Sequence, residues 1–146
     1  VSGVANGLPG MLHPYLGDTW SADVEFKDLY GYAFAPFALL MGVSLDDCVP
    51  VGQLLGTKTI FNEFFAYNDL AGMVESGLIS GRSQTLATFA LCGFANFMSI
   101  GIQIGGLSAL APSRRPDFAA LAFRAMVAGA FACQLTACIV GLIGDF

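Results

Sequence analysis

The chain has 146 residues, 55% of them hydrophobic and 12% charged, with a formal net charge of −5 and a mean hydropathy of +0.68. Soluble domains carry about 25% charged residues, so a water-soluble globule of this size would lack the polar groups to cover its surface, and a bilayer is the better solvent for it. The acidic balance, with a pI near 4.4 and no basic patch or stripe, argues against a nucleic-acid partner.

The amino end, "VSGVANGLPGML", has neither a Met nor a basic n-region and does not read as a signal peptide. The chain is therefore expected to be the tail of a longer protein. Residues 1–28 would be the end of a preceding span plus an interfacial loop, where Asp18, Asp23, Glu25 and Asp28 gather near Tyr15 and Trp20. Residues 29–45 follow as a span. Their apolar stretch "LYGYAFAPFALLMGV" is interrupted by Pro36 and bounded by Lys27–Asp28 and Asp46–Asp47, and proline is tolerated in membrane helices whose neighbours re-satisfy the backbone.

Residues 46–80 are expected to form a re-entrant helical hairpin and its exit. The segments "CVPVGQLLGT" and "TIFNEFFAY" flank Lys58, and at about 10 residues each they are too short to cross ~30 Å of hydrocarbon. A Gly-Thr-Lys-Thr break at 56–59 would separate the two arms. Non-helical backbone at membrane depth needs shelter from protein or a water-filled cavity, so the hairpin tip would mark a cavity.

Between Arg82 and Arg114 lies a run of 31 uncharged residues, and between Arg124 and Asp145 another of 20. A crossing helix needs about 20 apolar residues, so 83–113 and 118–144 read as two further spans. The first is longer than a crossing requires. Its middle, "CGFANFMSIG", holds Gly, Asn and Ser, which weaken helix and offer the backbone other hydrogen bonds. A discontinuous helix unwound near Phe94–Asn96 is expected, with free backbone groups and dipole charges at its broken ends. Arg114, Arg115 and Arg124 place the turn "PSRRPD" on the cytoplasmic side by the positive-inside rule, leaving the carboxy terminus external. The fold class is thus an all-α integral membrane protein: spans, a re-entrant hairpin and one discontinuous helix, as in half of a secondary transporter.

The polar groups inside the apolar runs carry the functional information. An ionisable side chain at mid-membrane costs about 3 kcal/mol on insertion scales, so Glu63 needs a partner, a proton or water, and reads as a functional site. Its structural alternatives are an ion pair with Lys58 or a cap on an unwound helix. Asn96 and Ser99 share a helical face; they are either interhelical glue, at about 0.6 kcal/mol per bond, or part of a midplane site of the kind broken helices supply. Phe94 either offers an apolar face to a ligand ring or sugar or simply packs. "GIQIG" (101–105) is a close-packing element with no phosphate-binding loop after it, so a nucleotide cofactor is not expected. Gln103 within it lies on the packing side or along a pathway.

Cys48, Cys92, Cys133 and Cys138 form no CxxC pair, and His13 is alone, so no metal site is expected. A single carboxylate with no base, second carboxylate or metal makes a poor hydrolase, and the chain is not expected to be an enzyme. A soluble all-α domain with a large buried core stands as the remaining class of reading.

"GTKTIFNEFFAY", "ATFALCGFANFMSIGIQIGGL", "LAPSRR" and "RAMVAGAFACQLTACIVG", in this order, resemble the carboxy-terminal half of the concentrative nucleoside transporters over roughly residues 29–143. The resemblance implies a cation-coupled nucleoside importer, homotrimeric when complete, moving its transport domain like an elevator. It implies that Glu63, on the second hairpin, hydrogen-bonds ribose hydroxyls, and that Phe94, Asn96 and Ser99 of the broken helix complete that side of the substrate site. The coupling ion, Na+ or H+, would bind mainly in the preceding half of the transporter, which would be this chain's partner. Phe65 stands where Val is common in the family and Met98 where a small residue often sits. Both are bulkier and would narrow the pocket or repack their neighbours. The alternative is a membrane component without transport, in which Glu63 and Asn96 only tie helices together.

Overall fold

The computed structural model describes residues 26–144, all of whose regular elements are helical. The expected amino-terminal span end and interfacial loop lie mostly outside the described residues. Helix α1 runs Phe26–Leu40 with Pro36 inside it, within and just ahead of the stretch 29–45 expected as a span. A 3-10 turn, Leu45–Asp47, leads into α2, Cys48–Ile60. Helices α1 and α2 lie backbone to backbone: a Cβ at Gly52 would collide with the Gly31 carbonyl, and one at Gly56 with the Tyr30 ring.

The second arm of the hairpin is α3, Glu63–Glu75. The break between the arms lies at Phe61–Asn62, not at the expected Gly-Thr-Lys-Thr of 56–59, through which α2 runs uninterrupted. Packing explains the shift. Gly56, Thr57 and Lys58 are all buried, and the Thr59 hydroxyl turns back to the Leu55 carbonyl at 2.8 Å, a bond that ends inside the helix. What stops the helix is Asn62. Its backbone is extended and its side chain accepts from the Phe65 amide at 3.2 Å, as an N-cap does. Each arm has 13 residues, about 20 Å at 1.5 Å per residue, still short of ~30 Å of hydrocarbon.

Helix α3 closes on a Schellman motif: Leu78 N–H donates to Met73 O at 2.9 Å and Gly77 N–H to Val74 O at 3.0 Å, with Gly77 at φ +67°. The chain then enters α4, Gly81–Leu91, whose N-cap is Ser80. Asp47 anchors this start, accepting from the Ser80 hydroxyl at 2.7 Å and the Ser80 amide at 3.1 Å. Burial alone would raise the Asp47 pKa, but hydrogen bonds from the Ser83 and Ser80 hydroxyls, the Ser80 amide and Ser44 outweigh it and lower it to about 2.

Residues 92–96 are non-helical, and α5 resumes at Phe97–Leu110. The expected discontinuity thus falls where the Gly, Asn and Ser of the run suggested. A 3-10 turn, Pro112–Arg114, carries the basic corner into α6, Arg115–Ile143. The stretch Pro112–Ile143, 32 residues, is long and apolar enough to cross a membrane, and little of it is buried within the chain.

The buried core lies where α2, α3 and α4 meet, with Val51, Leu54, Leu86 and Leu91 almost fully enclosed. Helices α5 and α6 expose Ile102, Leu110, Leu121, Leu135 and Leu142 instead. Large apolar side chains left exposed in this number fit lipid or further protein better than water.

Candidate binding site at two helix breaks

Two helix starts meet at one place: the first residue of α3 and the N-cap of α5. Asn96 has extended backbone and its side-chain oxygen accepts from the Ser99 amide at 2.8 Å. The Ser99 hydroxyl reaches back, 3.3 Å from the Asn96 amide and 2.7 Å from the Asn96 carbonyl oxygen to which it donates. This reciprocal capping box satisfies donors that every helix start leaves open. It also holds both side chains rigidly: Asn96 is 1% and Ser99 6% exposed.

The other Asn96 donor, Nδ2, bonds Glu63 Oε2 at 3.1 Å. Glu63 sits in the first turn of α3, partly exposed, where the positive end of a helix dipole favours a carboxylate. Only Oε2 of that carboxylate is engaged among the described residues, and an ionised carboxylate offers about four acceptor positions. The second Asn96 N–H and a lone pair on Ser99 Oγ are likewise open. The assembly can therefore accept several hydroxyl protons and donate one N–H, with Asn96 Oδ1 and Ser99 Oγ already held by bonds to the backbone.

Phe94 lies in the break itself, 70% exposed. It lines a cavity of about 510 Å³ between α5 and α6, together with Ser99 and Gln103. Gln103, ambiguous in sequence, thus faces the cavity. Glu63 and Asn96 do not line it. The structure brings Glu63, Asn96 and Ser99 into one hydrogen-bonded group and sets Phe94 beside Ser99 on the cavity wall. Gly93, at φ +146°, makes the break possible: it has a conformation L side chains rarely adopt, and a Cβ there would stand 2.6 Å from Cys133 Sγ.

Lys58 does not pair with Glu63. The residue is 3% exposed, and its ammonium donates to the Ala90 carbonyl at 2.9 Å. The Tyr67 hydroxyl donates to the Thr88 carbonyl at 2.7 Å. Neither bond has a signal in the sequence, although Tyr67 lies one turn beyond Glu63 and so on its helical face. Phe65 rests against Phe61 and Phe64, at ring-centroid distances of 6.1 and 6.0 Å. Neither Phe65 nor Met98 lines the cavity.

Residues 3–141 match the family profile described as "Na+ dependent nucleoside transporter C-terminus". The chain belongs to this transporter family. Among curated relatives it is 45% identical over 136 residues to mouse "Solute carrier family 28 member 3", covering 84% of this chain and 19% of the relative. It is 49% identical over 132 residues to the Eptatretus stoutii protein of the same name, covering 82% of this chain and 19% of the relative. It is 42% identical over 143 residues to rat "Sodium/nucleoside cotransporter 1", covering 88% and 22%. The chain therefore spans about one fifth of the length of the curated relatives it matches. Its fold superposes on the transporter CNTnw in an inward-facing substrate-bound state with a TM-score of 0.88 at 32% identity, covering 97% of this chain and 34% of that one. An outward-facing variant of CNTnw gives a TM-score of 0.86 at 34% identity, covering 96% and 34%. As a member of this family the chain has an all-helical membrane fold, and its hairpin and discontinuous helix are parts of that fold.

Proposed function

We propose that the protein completed by this chain imports nucleosides by cation-coupled symport, and that this chain supplies the side of the site that holds the ribose. The observation that carries this reading is the meeting of two asparagine-capped helix starts at Glu63 and Asn96, bonded at 3.1 Å. A ribose presents vicinal hydroxyls. They donate to the open oxygens of Glu63 and exchange bonds with Asn96 and Ser99, while Phe94 offers an apolar face to the ring system. Charge-assisted hydrogen bonds are about twice as strong as neutral ones, and a sugar lacking a hydroxyl leaves buried groups unpaired at ~1–3 kcal/mol each.

Uphill import requires a driving ion, Na+ or H+, whose site belongs mainly to the preceding half of the transporter. One cation descending 100 mV contributes about 2.3 kcal/mol, enough for roughly a fiftyfold concentration ratio. The complete protein would be a homotrimer in the plasma membrane, with the end of α6 facing outward, and this chain alone would not transport. Glu63→Gln in the full-length protein should cut uridine uptake at least tenfold with normal delivery to the membrane. Uptake close to the parent's would instead favour the structural reading, in which the Glu63–Asn96 bond merely ties α3 to α5.

A further inference from the structure

We infer that Lys58 is a positioning residue of this site, holding the negative pole of the helix break while Glu63 meets its positive pole. The inference deepens the transport reading and rests on it. The last carbonyls of a helix have no partner within it and carry the negative end of its dipole. At the end of α4 each of three successive carbonyls has a named partner. Thr88 O accepts from the Tyr67 hydroxyl at 2.7 Å, Phe89 O from the Cys92 amide at 3.3 Å and Ala90 O from the Lys58 ammonium at 2.9 Å. Two of these partners come from the hairpin, more than 20 residues away in sequence.

A lysine is almost never fully buried unless paired. Lys58 is enclosed, and its partner is a helix end instead of a carboxylate. Lys58 and Glu63 stand on opposite sides of the hairpin break at Phe61–Asn62. The hairpin thus sets a cation on the carboxy end of α4 and an anion on the amino end of α5, gripping both rims of residues 92–96. Among the described residues, a ribose that engages Glu63 competes with the Glu63–Asn96 bond alone. The Lys58 and Tyr67 bonds stay intact, so the break keeps its shape and Asn96 and Ser99 keep their aim while Glu63 turns to the substrate.

The test uses the full-length protein in a cell without its own nucleoside uptake, reading the KM for uridine and the ratio of uridine to 3′-deoxyuridine uptake. Lys58→Met should raise KM about tenfold, as expected for loss of one charged hydrogen bond, and bring the ratio towards one. Lys58→Arg, which can still donate to Ala90 O, should recover a large part of both. Tyr67→Phe removes a single hydroxyl and should raise KM about threefold. A parental KM and ratio in Lys58→Met, with only the amount in the membrane reduced, would overturn the inference. Should Lys58→Met fail to reach the membrane, Tyr67→Phe decides alone, and a parental KM and ratio there overturns it equally. A parent protein that takes up no uridine would sink the transport reading instead.

Discussion

The hairpin break and the helix break are built alike and used differently. Each ends on an asparagine with extended backbone whose side chain accepts the amide three residues on: Asn62 for α3 and Asn96 for α5. At the hairpin the cap is one bond of 3.2 Å on an exposed edge. At the helix break the cap is reciprocal, buried, and extended by a bond to Glu63. The first redirects the chain. The second fixes polar side chains that the chain can present to a ligand. A cap becomes a site only when its spare valences are enclosed and a charged group meets them.

Truncating the two caps should expose that difference most strongly. Loss of an asparagine cap costs ~0.5–2 kcal/mol, and loss of a bond to a charged group a further ~1.5–3 kcal/mol. Asn96→Ala is therefore expected to destabilise the full-length protein by about 3 kcal/mol and to abolish uptake, against about 1 kcal/mol and largely retained uptake for Asn62→Ala. Thermal unfolding in detergent with parallel uptake assays compares them, and equal losses from the two would break the distinction.

The backbone of the helix break comes next in size. Gly93→Ala forces a methyl into a φ of +146° and against Cys133 Sγ, and strained backbone of this kind costs ~1–3 kcal/mol. A loss of about 2 kcal/mol is expected. Adding Cys133→Ala should recover only the steric share, because the φ angle is unchanged. Full recovery in the double variant would show that contact with the thiol, not backbone conformation, is what demands glycine.

The smallest effect concerns the base of the hairpin. The Asp47 carboxyl is lowered from 3.8 to about 2 in the folded chain. A depressed folded value means that its contribution to stability is present above pH 3.8 and lost as pH falls towards 2. The parent should therefore lose more stability than Asp47→Asn across this acid window, as followed by unfolding midpoints. Parallel acid profiles would place the anchoring of α4 elsewhere than in the charge of Asp47.

The two breaks were not equally legible. The helix break could be read because Gly93, Asn96 and Ser99 interrupt an uncharged run far longer than one crossing needs. The hairpin break is harder to read, because glycine and threonine at 56–59 weaken a helix in isolation. In the folded chain Gly56 is the point where α2 meets the Tyr30 ring, so the same glycine serves helix packing and the helix continues. The signal that ends it, Asn62, was in plain sight beside Glu63. The cost of burying a carboxylate also picked out Glu63 without any neighbour being known. Its partner was another matter: Lys58, close in sequence, was the side chain to expect, and the structure supplies Asn96 instead.

Composition and run length by themselves determined the solvent, the helical class and the short list of polar residues, because the free energy of placing each side chain in hydrocarbon depends on its own chemistry. The partners were decided only by tertiary structure. Glu63 meets Asn96 and Lys58 meets Ala90 across separations of about 30 residues, and what selects those pairs is the docking of the hairpin on the broken helix. An orphan carbonyl or an open cap specifies that a partner must exist, and the packing of helices determines which one arrives.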